Sequence, residues 1–111
     1  MSDMGEIEQV AFDIISNAGE ARSLLMQVIQ EAQQGNFEHS QINQNTANER
    51  LKDAEKAHFK VISSEAKQNK IDFSLLLVHA EDQMMAAELL RDLVPNIVAT
   101  NQELFKLKNS D

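Results

Sequence analysis

Apolar residues in the first third of the chain recur every three or four positions. Ile7, Val10, Ile14, Ala18, Ala21, Leu25, Val28 and Ala32 keep that spacing throughout, which holds them on one side of a helix. The pattern predicts a first helix from about Glu6 to Gln34, ended by the stop signal Gly35-Asn36. A second segment runs from about Glu38 to Gln68. It carries Ala47, Leu51, Ala54, His58, Val61 and Glu65 in the same rhythm, with Phe59, Ile62 and Ala66 alongside. Lys67-Gln68-Asn69-Lys70 reads as the next connection. A third segment starts near Asp72 or Ser74, either of which can cap a helix by accepting from a free backbone N–H. It continues to about Lys108, and Asn109-Ser110-Asp111 should fray. Pro95 lies inside it, where a missing N–H and a crowded preceding turn predict a kink. Long helices joined by short turns must run up-down-up and pack at a shallow angle. The expected fold is all-α, an antiparallel three-helix bundle, in one domain over residues 1–111.

The third helix carries more apolar surface than one core needs. At about 100° per residue, Leu76, Ala80, Gln83, Ala87 and Leu90 form one stripe. Leu75, Val78, Asp82, Met85 and Leu89 form another, centred roughly 140° away. The plainly polar strip is marked by Glu81 and Glu88. Two stripes imply a second buried contact, most simply with copies of the same chain. Asp82 sits in the middle of the second stripe, and a lone carboxylate sealed in such a seam costs several kcal/mol unless something offsets it. Around a threefold axis, copies of Asp82 would converge, and a hard divalent cation such as magnesium suits their oxygens. From spacing alone, Asp82 at a wet edge of the seam is the simpler reading.

His79 falls between the two stripes, with Asp82 and Gln83 as its helix-surface neighbours. Ala86, two turns on, leaves space beside it, so the imidazole should line a groove at the bundle edge or between subunits. Neutral imidazole is a nucleophile, and an unperturbed imidazole, with a pKa of about 6.5, is largely neutral near pH 7. From spacing alone, a histidine that merely fills space is the simpler reading.

Composition narrows the function. The chain has one proline, three glycines and no tryptophan or tyrosine, and good helix formers dominate it. The formal net charge of −8 repels phosphate backbones and anionic headgroups, which argues against nucleic-acid or direct membrane binding. With no cysteine there is no disulfide, thiolate metal site or cysteine nucleophile. The acidic start MSDMGEIEQV does not resemble a secretion signal, and no apolar run approaches a membrane span. A soluble cytoplasmic protein is expected. No glycine-rich phosphate loop, H-E-x-x-H or G-x-S-x-G is present. His39, near the first connection, reads as a solvated surface residue.

The segment from Ser74 to Met85, SLLLVHAEDQMM, resembles the signature of the lactose/cellobiose-type enzyme IIA components of the phosphoenolpyruvate-dependent sugar phosphotransferase system (PTS), roughly S-L-x-L-V-H-A-Q-D-H-L-M. IISNAGEARS from Ile14 and AQQGNF from Ala32 are similar to that family's I-I-x-x-A-G-x-A-R-S and A-x-x-G-D-F. The resemblance implies a homotrimer of three-helix bundles. His79 would accept a phosphoryl group from the phosphocarrier protein HPr and pass it to a cysteine of the cognate IIB component. The sugar is then phosphorylated as it crosses the membrane through IIC. Asp82 would bind a metal ion, expected to be magnesium, at the trimer axis. Gln83 and His58 are candidates to support the phosphoryl group as donors, with a core-edge place equally open to His58.

Departures from the pattern affect the surroundings of His79. Glu81 stands for the family glutamine and Gln83 for a histidine. In the second helix, where the family reads A-H-x-x-Q-T, Glu55 takes the histidine position and His58 the glutamine position. Pro95 falls where the family helix is uninterrupted. Which disaccharide or glycoside is served does not follow from these residues. Two rival readings remain: a histidine phosphotransfer module of a signalling relay, which usually has four helices and would not explain Asp82, and a helical oligomeric interaction protein without chemistry.

Overall fold

A computed structural model describes residues 3–68 and 73–110. The chain forms α1 (Asp3–Gln33), α2 (Ser40–Gln68) and α3 (Leu75–Asn109), with no strand among the described residues. Ser74 caps α3, its Oγ accepting from the Leu77 N–H at 3.2 Å. The alternative cap, Asp72, lies outside the described residues, as do Asn69 and Lys70 of the expected connection and Asp111 of the expected frayed end. α3 continues through Pro95 as one helix.

α1 ends on two bonds that wrap its last turn. The Gly35 N–H donates to the Ala32 carbonyl at 3.0 Å, and the Asn36 N–H to the Glu31 carbonyl at 2.9 Å. This is the closure that wants a glycine in the left-handed region, and Gly35 has φ 81°. Phe105 of α3 lies over it, edge-on to Phe37 with centroids 6.2 Å apart. The C-terminal ends of α1 and α3 therefore meet, so these two helices run parallel. Between α2 and α3 the pairs His58–Glu81 and Glu55–Arg91 run in opposite order, so α2 is antiparallel to α3. The expected up-down-up course is present.

α1 is the central element, packing extensively on both other helices, whereas α2 and α3 meet over a much thinner boundary. Its expected stripe is the core: Ile14, Ala18, Ala21, Leu25, Val28 and Ala32 are buried, joined by Ala11, while Ile7 and Val10 are packed against them. α2 contributes Ala47, Leu51, Ala54 and Val61. Phe59, Ile62 and Ala66, read alongside that stripe, are exposed. α3 contributes Leu77, Ala80, Met84, Ala87, Val94 and Val98. The buried stripe of α3 thus lies about 45° round from the expected one. Leu77 and Met84 enter the core, and Gln83 stands at its edge, half-buried.

Gly35 should be hard to replace. An alanine Cβ there would lie 2.6 Å from a Phe105 ring carbon, in a backbone conformation that side chains resist. Gly35→Ala is expected to cost about 2 kcal/mol in urea denaturation. Gly19→Ala is the control, since nothing lies within 4 Å of its added Cβ; it should cost no stability.

Candidate functional site

Taken round its axis, α3 shows four sides. One is the core. The second, marked by Glu81 and Glu88, faces α2. There the His58 Nε2 lies 2.6 Å from Glu81 Oε2, where an imidazole N–H donates to the carboxylate. Arg91 reaches Glu55 at 3.6 Å and Asp92 at 3.3 Å. Glu88 is pushed up to about 7, from the ordinary 4.5, by its hydrogen bond to Glu55, by burial and by the charge of Glu55; Arg91 and His58 pull it back.

The third side turns away from both neighbours. Leu75, Met85 and Leu89 are 72, 62 and 61% exposed, and Val78 and Asp82 are exposed with them. This is the second sequence stripe, uncovered within the single chain. Among the described residues no group of three or more His, Cys, Asp or Glu side chains is placed to hold a metal ion. Asp82 alone is too few donors, so a cation there would need Asp82 from several chains. Its carboxylate oxygens are the donors that hard cations prefer.

The fourth side faces α1 and carries Gln83, which lines a groove with Gly19, Arg22, Ser23 and Gln27. His79 lies between this groove and the exposed apolar seam, with its side chain exposed. It is therefore not sealed in the bundle. His58 is elsewhere: its partner Glu81 is about 200° round α3 from His79. Of the two places the sequence left open to His58, within one chain it takes the one at the core edge, engaged by Glu81. Arg22, which sequence reasoning did not single out as functional, shares the groove with Gln83. His39 is exposed, as expected.

A family profile described as "PTS system, Lactose/Cellobiose specific IIA subunit" matches residues 9–102. The N,N'-diacetylchitobiose-specific EIIA component of Escherichia coli (strain K12) is 32% identical over 99 residues, 89% of this chain and 85% of that protein. The cellobiose-specific EIIA component of Lactococcus lactis subsp. lactis is 34% identical over 100 residues, 90% and 86% of the two chains. A crystal structure of the PTS cellobiose-specific enzyme IIA from Bacillus anthracis superposes with a TM-score of 0.85 at 31% identity, covering 96% of this chain and 94% of that one. The chain belongs to this family of PTS IIA subunits. Its role is that of a sugar-specific phosphocarrier component. No described helix is long and apolar enough to cross a membrane.

Seen on this IIA subunit, three of the departures from the family pattern come together, while Gln83 and Pro95 lie apart from them. Glu55, His58 and Glu81 meet in one network between α2 and α3, with Glu88 and Arg91. At positions 58 and 81, where the quoted family pattern reads glutamine, this chain sets an imidazole against a carboxylate.

The Glu55–Glu88 pair makes stability pH-dependent. A carboxylate whose folded pKa is raised binds its proton more tightly in the folded state, so the fold loses stability as pH climbs from the unfolded value of 4.5 to about 7. Glu88→Gln should remove much of this loss. Thermal melts of variant and wild type are expected to diverge in the variant's favour between about pH 5 and pH 8. Parallel melting curves across that range would contradict the assignment.

Proposed function

We propose that this subunit carries the phosphoryl group on His79, taking it from phosphorylated HPr in the cytoplasm and delivering it to the cysteine of its cognate IIB component. The observation that carries the proposal is the exposed imidazole at the margin of an uncovered apolar seam, within the family's phosphoacceptor motif. The chemistry asks little of the chain. Neutral His79 attacks the phosphorus of the donor phosphohistidine in line. The new N–P bond forms as the donor's N–P bond breaks, and the donor imidazole leaves. On delivery a thiolate attacks, an S–P bond forms, and the His79 imidazole is the leaving group. Positioning and stabilisation of the phosphoryl oxygens do most of the work. The Gln83 amide, one turn beyond, is a donor suited to those oxygens.

The subunit acts as a homotrimer in this reading, with the Leu75–Val78–Met85–Leu89 seam buried around the axis and three copies of Asp82 facing one another. Fully burying each such side chain is worth about 1.5–3 kcal/mol, ample to drive assembly. Magnesium held by the Asp82 carboxylates supplies the charge that makes their burial tolerable. The relatives' names, chitobiose, lactose, cellobiose and galactose, support a small sugar as the cargo, mostly disaccharides among them.

Replacing His79 with alanine should abolish labelling. Incubated with enzyme I, HPr and phosphoenolpyruvate, the wild type should gain a single acid-labile phosphate by intact mass, and the variant none. Full labelling of the variant would refute the assignment. A relay module would instead be labelled by a phosphorylated receiver domain, and an interaction protein by neither donor.

Asp82→Leu should abolish bound metal while leaving a trimer that chelator no longer weakens. Light scattering and elemental analysis read both. Unchanged metal content in that variant would remove Asp82 from the metal site.

A further inference from the structure

We infer that Arg22 binds the oxygens of the phosphoryl group carried on His79, from across the α1–α3 groove; the inference rests on the phosphocarrier reading above. Three arginines occur in the chain. Arg50 is paired with Asp53 at 3.1 Å, and Arg91 with Glu55 and Asp92. Arg22 makes no ion pair or hydrogen bond among the described residues. In a chain with 18 acidic residues, a guanidinium without a carboxylate is the exception.

Its surroundings suit an anion. The groove presents the Arg22 guanidinium, the Ser23 hydroxyl and the Gln83 amide, and no carboxylate lines it. His79 precedes Gln83 by one turn, about 6 Å along α3 and on the same flank. Helical side chains lean toward their own N-terminus. Because α1 and α3 run parallel, Arg22 and Gln83 both lean toward the end of the groove where His79 stands.

Gly19, one turn before Arg22, is the independent observation. Glycine inside a helix is unfavourable and usually answers to a close neighbour. Here nothing lies within 4 Å of where its Cβ would be. The space is used by no other described part of the chain, and it opens the groove beside the guanidinium.

The charge on the carried group gives Arg22 its task. A phosphoryl group on His79 adds further negative charge to a chain whose formal net charge is already −8. A guanidinium fork engages two phosphoryl oxygens at once, offsets that charge and fixes the phosphorus for in-line attack. The same contact serves receipt and delivery, since the oxygens stay charged through both transfers.

Phosphoramidate phosphorylates histidine without a protein donor, so it tests Arg22 apart from HPr. The full-length wild type, Arg22→Gln, Arg22→Lys and Arg50→Gln are labelled this way, and the phosphohistidine is titrated by phosphorus NMR. Loss of the cation should raise the phosphoryl midpoint by roughly half a pH unit or more. Arg22→Lys should fall between, Arg50→Gln should match wild type, and the melting temperature of Arg22→Gln should be unchanged. With phosphorylated HPr as donor, Arg22→Gln should be labelled about tenfold more slowly. Superimposable titrations of wild type and Arg22→Gln overturn the inference. Wild type labelled by phosphoramidate but not by HPr defeats the phosphocarrier reading while the titration still decides Arg22. Labelling by neither defeats both.

Discussion

An alanine-lined interior sets the terms for the rest of this structure. Of the 17 buried core residues described, eight are alanine: Ala11, Ala18, Ala21, Ala32, Ala47, Ala54, Ala80 and Ala87. Small side chains let helix axes come close, toward the short end of the usual 8–10 Å range, and the bundle is only 20 by 19 Å in cross-section. A core built this way packs tightly but has little room for bulky groups. Leu75, Met85, Leu89 and Leu93 stay outside as a consequence, on one side of α3. The surplus apolar seam is the complement of the alanine core, and the proposed assembly follows from the same composition that makes the monomer slender.

α3 is where these demands are reconciled. One helix has to fill the core, meet α2, border the α1 groove and present the seam, and its circumference divides accordingly. His79 occupies the boundary between groove and seam. A donor protein can reach the imidazole there, while neighbouring sides of the helix hold it in place. Placed one residue earlier, where Val78 stands, the same imidazole would be in the seam. Placed one residue later, where Ala80 stands, it would be in the core.

Much of this was legible in the sequence, and the misses have physical causes. The α1 stripe could be read residue by residue because α1 is flanked on both sides and its apolar positions all go inward. On α3 the core side was misplaced by about 45°. Spacing treats a glutamate as solvent-seeking, yet Glu81 and Glu88 turn toward α2, where His58 and Glu55 meet them. Those partners lie on another helix, beyond the reach of any periodicity. Rotating Glu81 and Glu88 inward carries Leu77 and Met84 into the core and brings Gln83 out to the groove. Arg22 escaped notice for the same reason: its significance comes from the absence of a partner, and pairing is a property of the fold. His79 and Asp82 were singled out by the motif, and periodicity put one at the margin of the second stripe and the other in its middle.

The polar boundary between α2 and α3 also explains how this IIA subunit tolerates its departures from the family pattern at Glu55, His58 and Glu81. That boundary is thin and half-wet, with His58 and Glu81 side chains 19 and 35% exposed. Exchanges of charge there are screened and can be matched locally, as His58 is by Glu81 and Glu55 by Arg91. None of them needs the alanine core to repack. His79 stands about 200° round α3 from Glu81, with the body of the helix between them. Substitutions on the α2 side can therefore accumulate in compensating groups without moving the imidazole, whereas any change in the groove or the seam acts on it directly. The positions most constrained by the proposed chemistry should be Gly19, Arg22 and Asp82 around His79, and the α2–α3 network should be the part of the molecule freest to vary.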